Sequence, residues 1–171
     1  MRPELRADFD WLAQQPGAKT CCIRDLLEHV QLAALQRGPF SSSVPENDWR
    51  EFDLSPWISG AGGEDIAWRR ELWEWLAARV RRETDGEQAA VQVIRQLQMR
   101  VTSLDATVLN SSVKGAWTKG ETDQAGFERL TVAGLRSVGI AARTATGGGC
   151  EIFPEGSWKR LARQMQTPFE R

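Results

Sequence analysis

The stretch from Glu121 to Leu161 constrains this chain most, because it spells one helix, a glycine stop and a run of short strands in that order. Thr122 and Asp123 are both N-cap residues, whose side-chain oxygens accept from orphan N–H groups two or three residues on. Phe127, Leu130, Gly134 and Val138 recur at three- and four-residue steps with Leu135 beside them, the apolar stripe of an amphipathic helix. Glu128, Arg129 and Arg136 lie away from its centre. Gly139 stands where a left-handed residue ends a helix, and Ile140 is the apolar residue that follows one. The spacing predicts a helix over Asp123 to Val138. Ala141 to Thr146 then reads as extended, Gly147-Gly148-Gly149 as a turn, and Cys150 to Phe153 as a second strand. Pro154-Glu155-Gly156 turns again, and Trp158 to Leu161 reads as a third strand or a helical end.

LTVAGLRSVGIAAR, residues 130–143, resembles the LxxALLRALGIPAR segment of the transglutaminase-like superfamily, a branch of the papain-like cysteine enzymes. The following CEIFPEGSW is similar to that family's HxWxE stretch and the Trp after it. Upstream, WRRELWEWLAARV and the next helix resemble the lead-in of some bacterial transglutaminase-like proteins. The core of the match is Arg136, Gly139, Ile140, Ala142 and Arg143. The resemblance implies a papain-like fold, with a nucleophilic Cys at the start of the central helix and a catalytic His on one of the strands beyond it.

This sequence departs from the family at both positions. Counting back from Arg136, the thiol position falls on Gln124, or on Asp123 with a one-residue slip. The His position falls near Gly147, and the one His of the chain is His29, far upstream. A thiol nucleophile needs an imidazole to take its proton and return it to the leaving group. The resemblance therefore implies a degenerate member that keeps the scaffold without the thiol chemistry.

The rest of the chain reads as helices around a loop. Pro3 to Gln14 and Ile23 to Gln36 carry apolar stripes, and Gly38-Pro39 stops the second. Phe40 to Glu64 is irregular and reads as a long loop. Its Trp49, Phe52, Leu54, Trp57 and Ile58 are too apolar for a free linker, so they either pin it to the body or meet a partner. Glu64 to Arg82 reads as a helix with Ile66, Leu72, Trp73, Leu76 and Val80 inward, and Trp68 and Trp75 off that centre. Thr84 and Glu87 form a capping-box pattern for a helix through Val101. Val101 to Val113 fits either a loop with a strand or a loose helical end. The organisation is an N-terminal helical segment at 1–38, a Trp-containing loop at 39–63, and a transglutaminase-like α+β core at 64–171.

Composition narrows the functions. A net charge of −1 gives no field that draws the chain to nucleic acid. No apolar run is long enough to span a membrane, and the charged residues after Met1 leave no room for a signal peptide. A cytoplasmic location is the expectation. Three Cys and one His make neither a disulfide framework nor a zinc pattern, so no metal and no cofactor is expected. Cys21-Cys22 sits at a helix start, which lowers a thiol pKa, but without a visible base. Cys150 with Glu151 is the sharpest reactive pair, close to the family's His position. The Gly147–Gly149 run lacks the lysine and the following helix of a phosphate loop. Arg136 and Arg143 can each bind a carboxylate or sit in a salt bridge.

The expected fold is α+β, with N-terminal helices and one central helix packed on a small antiparallel sheet. The expected function is a non-catalytic, protein-binding or assembly module. Trp49, Trp57, Trp68, Trp75 and Trp117 are its binding candidates, and Trp49→Ala or Trp57→Ala is expected to weaken association without unfolding. The alternative is a cysteine-dependent enzyme with a relocated thiol, Cys150. A remote alternative is a helix-hairpin-helix nucleic-acid binder, since LRSVGIAAR resembles that turn; Ala141 stands at its second glycine, and the basic stripe is missing.

Overall fold

A computed structural model describes residues 3–58, 66–103 and 112–161. Among them are seven α-helices: α1 (Pro3–Ala13), α2 (Ile23–Gln36), α3 (Glu46–Trp49), α4 (Arg69–Val80), α5 (Gly86–Arg100), α6 (Val113–Lys119) and α7 (Gln124–Ser137). A two-stranded parallel pair joins β1 (Thr102–Ser103) to β2 (Glu121–Thr122). Three antiparallel strands, β3 (Ala142–Thr144), β4 (Cys150–Ile152) and β5 (Lys159–Arg160), form the other sheet in sequence order. The architecture is α+β, rich in helix. No helix among the described residues is long and apolar enough to cross a membrane.

Helix α7 is the centre. Asp123 caps it, accepting from Gly126 N at 2.6 Å. At the other end Ile140 N donates to Leu135 O at 3.0 Å and Gly139 N to Arg136 O at 3.2 Å. This is the paired bonding that a left-handed glycine permits, and Gly139 has φ of 79°. A second demand falls on the same residue: a Cβ at Gly139 would collide with the Gln36 carbonyl oxygen at the end of α2. The two helix ends touch through a missing side chain.

The amphipathic reading of α7 is corrected in one respect. The helix is buried on nearly its whole circumference, Glu128 and Arg136 included. One face packs with α4, α5 and α6 around Leu72, Leu76, Val93, Leu97, Phe127 and Leu130. A second apolar cluster lies under the N-terminal helices, around Leu12, Leu26, Val30, Trp49, Leu54 and Trp57. The segment read as a long loop carries much of that cluster. Pro39–Ser41 forms a 3₁₀ turn, and α3 runs on into a π-helical turn at Arg50–Leu54, closed by Ser55 N to Arg50 O at 2.9 Å.

Three boundaries moved. Helix α4 begins at Arg69, with residues 59–65 outside the described part. Helix α5 is capped by Asp85, which accepts from Glu87 N at 2.8 Å, one residue after the expected Thr84. The ambiguous region after Val101 holds β1 and, past the undescribed 104–111, helix α6. Ser112 caps α6, accepting from Gly115 N at 3.0 Å.

Candidate functional site

The position matched to a thiol nucleophile is the first turn of α7. Gln124 stands there, and its carboxamide donates to Glu128 Oε1 at 3.1 Å. The β3–β4 turn lies against this carboxylate: a Cβ at Gly148 would sit 3.4 Å from Glu128 Oε1. Arg160 of β5 reaches the Gly148 carbonyl from the far strand. This place, where the resemblance expects a Cys–His pair, is occupied by amide, carboxylate and backbone.

Cys150 starts β4 beside that turn and is fully buried. Its Sγ faces the Glu128 carbonyl oxygen at 3.5 Å. Burial, helped by the Glu128 charge, pushes the thiol pKa up to about 12. Such a thiol is protonated near neutrality and closed to substrate. Glu151 points the other way along the strand, in an ion pair with Arg143 at 2.8 Å. Sequence pairing of Cys150 with Glu151 thus joined two residues on opposite faces of one strand. Of the other cysteines, Cys22 is exposed and Cys21 partly so.

His29 is far from both. It belongs to a buried polar cluster that sequence reading missed. The carbonyls of Asp53, Leu54 and Ser55 end the π turn, and a helix end leaves such oxygens without intrahelical partners. Three basic side chains from three helices take them. Arg69 of α4 donates to Asp53 O, His29 of α2 lies 2.8 Å from Leu54 O, and Arg136 of α7 donates to Ser55 O at 2.6 Å. Arg69 also donates to Gln36 Oε1 at 2.9 Å and to Arg136 O at 2.7 Å. Its distance to Asp53 Oδ1 is 3.4 Å. Arg136 Nε donates to Ala142 O at 3.0 Å. Four helices and the start of β3 are thereby tied at one point.

The cluster holds two guanidiniums and one carboxyl. Burial raises the Asp53 pKa to about 6 against the pull of both arginines. Burial, then the nearby charge of Arg69, lowers His29 well below its ordinary value, so the ring is neutral. Its Nε2 faces Leu54 O and Arg69 Nε, the latter at 3.1 Å, and the tautomer decides which bond forms. Burial and the Arg69 charge lower Arg136 to about 9. With both of its nearest partners backbone or cation, His29 has no thiol to serve.

The tryptophans named as binding candidates go mostly inside. Trp49 and Trp68 have no exposed surface, and Trp57 and Trp117 are buried as well. The Trp57 indole lies against Gly17, where any Cβ would overlap it. Trp68 meets the His29 ring edge-on at 5.4 Å. Trp117 lies under Arg100 at 4.0 Å and meets Trp75 edge-on at 5.4 Å. The expectation that Trp68 stands off the α4 core is corrected: it closes the space between α4 and α2. Trp75 alone of the five is half-buried. Among the described residues, a groove of about 590 Å³ offers an open, largely apolar surface lined by Phe40, Trp73, Ala77, Ala78, Val80 and Val138, with Glu74, Arg81 and Glu83 at its charged positions. No group of three or more His, Cys, Asp or Glu that could hold a metal is present among the described residues.

No family model, no curated protein and no solved structure matches the chain.

Proposed function

We propose that this chain is a non-catalytic, transglutaminase-like domain that serves as a protein-binding or assembly module. The observation that carries the reading is the state of Cys150. Its thiol is sealed in the core and faces a carbonyl, while His29, the chain's one imidazole, is held at the end of the π turn. Covalent thiol chemistry needs an accessible thiolate and a base within hydrogen-bond reach, and neither condition is met. The order of elements supports the lineage: a capped central helix, a left-handed glycine, then three antiparallel strands.

The groove beside α4 is the surface that fits a binding role. Its floor is largely apolar, and its rim carries both charge signs. An apolar side chain on a partner segment would fill it, with the rim setting orientation.

Native alkylation with iodoacetamide from pH 5 to 9, read by mass spectrometry, tests the non-catalytic part. Cys22, which is exposed, should label in the native protein while Cys150 stays unmodified until the protein unfolds. Rapid labelling of Cys150 below pH 7 would overturn the reading and restore the relocated-thiol enzyme. For the binding part, Ala78→Glu puts a charge in the groove on an exposed helix position. Association with a partner should be lost in this variant at unchanged thermal stability.

A further inference from the structure

A second cavity, of about 330 Å³, opens between the π turn and the start of the small sheet. Arg136 and Arg143 both line it, together with the apolar side chains of Phe52, Trp57 and Ile58. The geometry points to a binding site for a small monocarboxylate with an apolar body, its carboxylate held by the two guanidiniums.

Arg136 supplies the buried charge. Its Nε and Nη1 are committed to Ala142 O and Ser55 O, and Nη2 takes no partner among the described residues. The nearest buried anion, Asp53, is shared with Arg69, so the interior at this point carries more cation than anion. Two buried guanidiniums thus share one buried carboxylate, with Glu51 acting on Arg136 from the exposed side of the lining, and an anion entering the cavity would add to that partial compensation. Arg143 supplies the second donor. Its guanidinium lies 4.1 Å over the Trp158 ring and 5.4 Å from Phe52, and Nε is bonded to Glu151. Stacking and pairing hold the plane fixed, while its Nη groups have no partner among the described residues. A planar fork of N–H donors matches a carboxylate.

The rest of the lining sets the class. Phe52, Trp57 and Ile58 offer an apolar wall, which favours a hydrocarbon or aromatic body over a bare ion. Glu51 is the one acid in the lining, and its charge opposes a dianion such as phosphate about twice as strongly as it opposes a monocarboxylate. The volume lies at the small end of ligand pockets, enough for a ligand of about ten to fifteen non-hydrogen atoms.

The test titrates the ¹⁵N-labelled full chain with phenylacetate, with phenylacetamide and with inorganic phosphate, following the Trp57 indole N–H resonance. Phenylacetate should bind with a dissociation constant on the order of 1 mM, as befits so small a ligand. The neutral amide should bind at least about tenfold more weakly, the worth of one charge-assisted contact. Thr144 lines the mouth and its side chain is exposed, so Thr144→Glu should fold normally and weaken phenylacetate at least about fivefold by like-charge repulsion. Arg143→Gln should weaken it similarly, and retained indole dispersion would show that either variant is folded. Equal binding of acid and amide would overturn charge recognition. Phosphate binding tighter than phenylacetate would overturn the carboxylate assignment. No shift at ~20 mM ligand, far above the expected constant, would overturn the site itself.

Discussion

Arg69 Nη1 donates to the main-chain oxygen of Arg136 at 2.7 Å, so two buried guanidiniums of like charge are joined through backbone. Their repulsion is tolerated because each also holds a carbonyl of the π turn. Basic groups at a helix C-terminus meet the negative end of its dipole. The arrangement is a three-sided cap on the α3 extension, built from helices that are remote in sequence.

Arg69→Met keeps much of the side-chain volume and removes every one of those bonds. It leaves Asp53 buried with a weaker counter-charge, and leaves Asp53 O, Arg136 O and Gln36 Oε1 without a donor. Breaking one side of a buried ionic network costs about 3–5 kcal/mol, which urea unfolding would read as a lowered midpoint. The neighbouring Arg70 pairs with Glu28 in solvent, and Arg70→Ala should leave the midpoint nearly unchanged. Equal effects of the two substitutions would deny the cluster its structural role.

The same cluster makes stability depend on pH in two opposed ways. An unfolded histidine titrates near 6.5, and folded His29 titrates well below that because burial and Arg69 oppose its charge. As pH falls through 6.5, the unfolded chain gains a proton that the folded chain refuses, and stability is lost. Asp53 runs the other way. Its folded pKa is raised from 3.8 to about 6, so stability rises as pH falls from 6 towards 4. Arg69 and Arg136 face both groups, and Arg37 also acts on Asp53. In the wild type the two trends offset between pH 6 and 4. His29→Gln removes only the first, so its stability relative to wild type should climb below pH 6.5 by up to about 1.4 kcal/mol per pH unit. Parallel curves for the two proteins would mean that His29 keeps an ordinary pKa.

The central helix was legible because its signals are local. Asp123, Gly139 and Ile140 act within a turn of the helix they end, and the structure places the helix within one residue of the expected limits at each end. The first two short strands after it were legible through their glycine and proline turns, and the third, β5, was one of two readings open for Trp158 to Leu161. Helix α6 was not, since seven residues give too little periodicity to read. The cap cluster was not legible either. His29, Asp53, Arg69 and Arg136 come from separate segments, and the carbonyls they meet carry no sequence signal. The one available clue was that Arg136 lies within a helix whose neighbours Thr131 to Leu135 are unbroken by charge. Tryptophan was ambiguous for a chemical reason: an indole has an apolar body and a polar edge, and it suits a core or an interface equally.

Glycine substitutions separate backbone strain from collision. Gly139 and Gly147 have nearly the same dihedral, φ of 79° and 81°. Around Gly147 nothing lies within 4 Å of a new Cβ, whereas at Gly139 the Cβ meets the Gln36 carbonyl. Gly147→Ala should cost about 1–2 kcal/mol, the penalty of a left-handed alanine alone. Gly139→Ala should cost at least ~2 kcal/mol more, since the ends of α2 and α7 must part and one methyl too many in a packed interior carries its own strain. Thermal melts of the two variants make the comparison. Equal costs would show that the α2 end yields freely.

The burial of Trp49 reverses the role that its sequence context suggests. Trp49 has no exposed surface and packs among Leu12, Val30, Leu54 and Phe9, with Arg37 over its ring at 4.2 Å. Trp49→Ala should cost about 3–5 kcal/mol through the cavity it leaves. A domain of this kind has only about 5–15 kcal/mol to lose, so any weakened association in this variant would track unfolding. Trp75 is the contrast. It is only partly buried, and what it loses in Trp75→Ala is chiefly an edge-on contact to Trp117 and the Arg79 guanidinium over its ring at 4.3 Å. That loss should cost about 1–2 kcal/mol and leave a folded protein. Chemical denaturation of both variants decides the point: if Trp49→Ala unfolds at the wild-type midpoint, the second apolar cluster is not the support for the N-terminal helices that its burial implies.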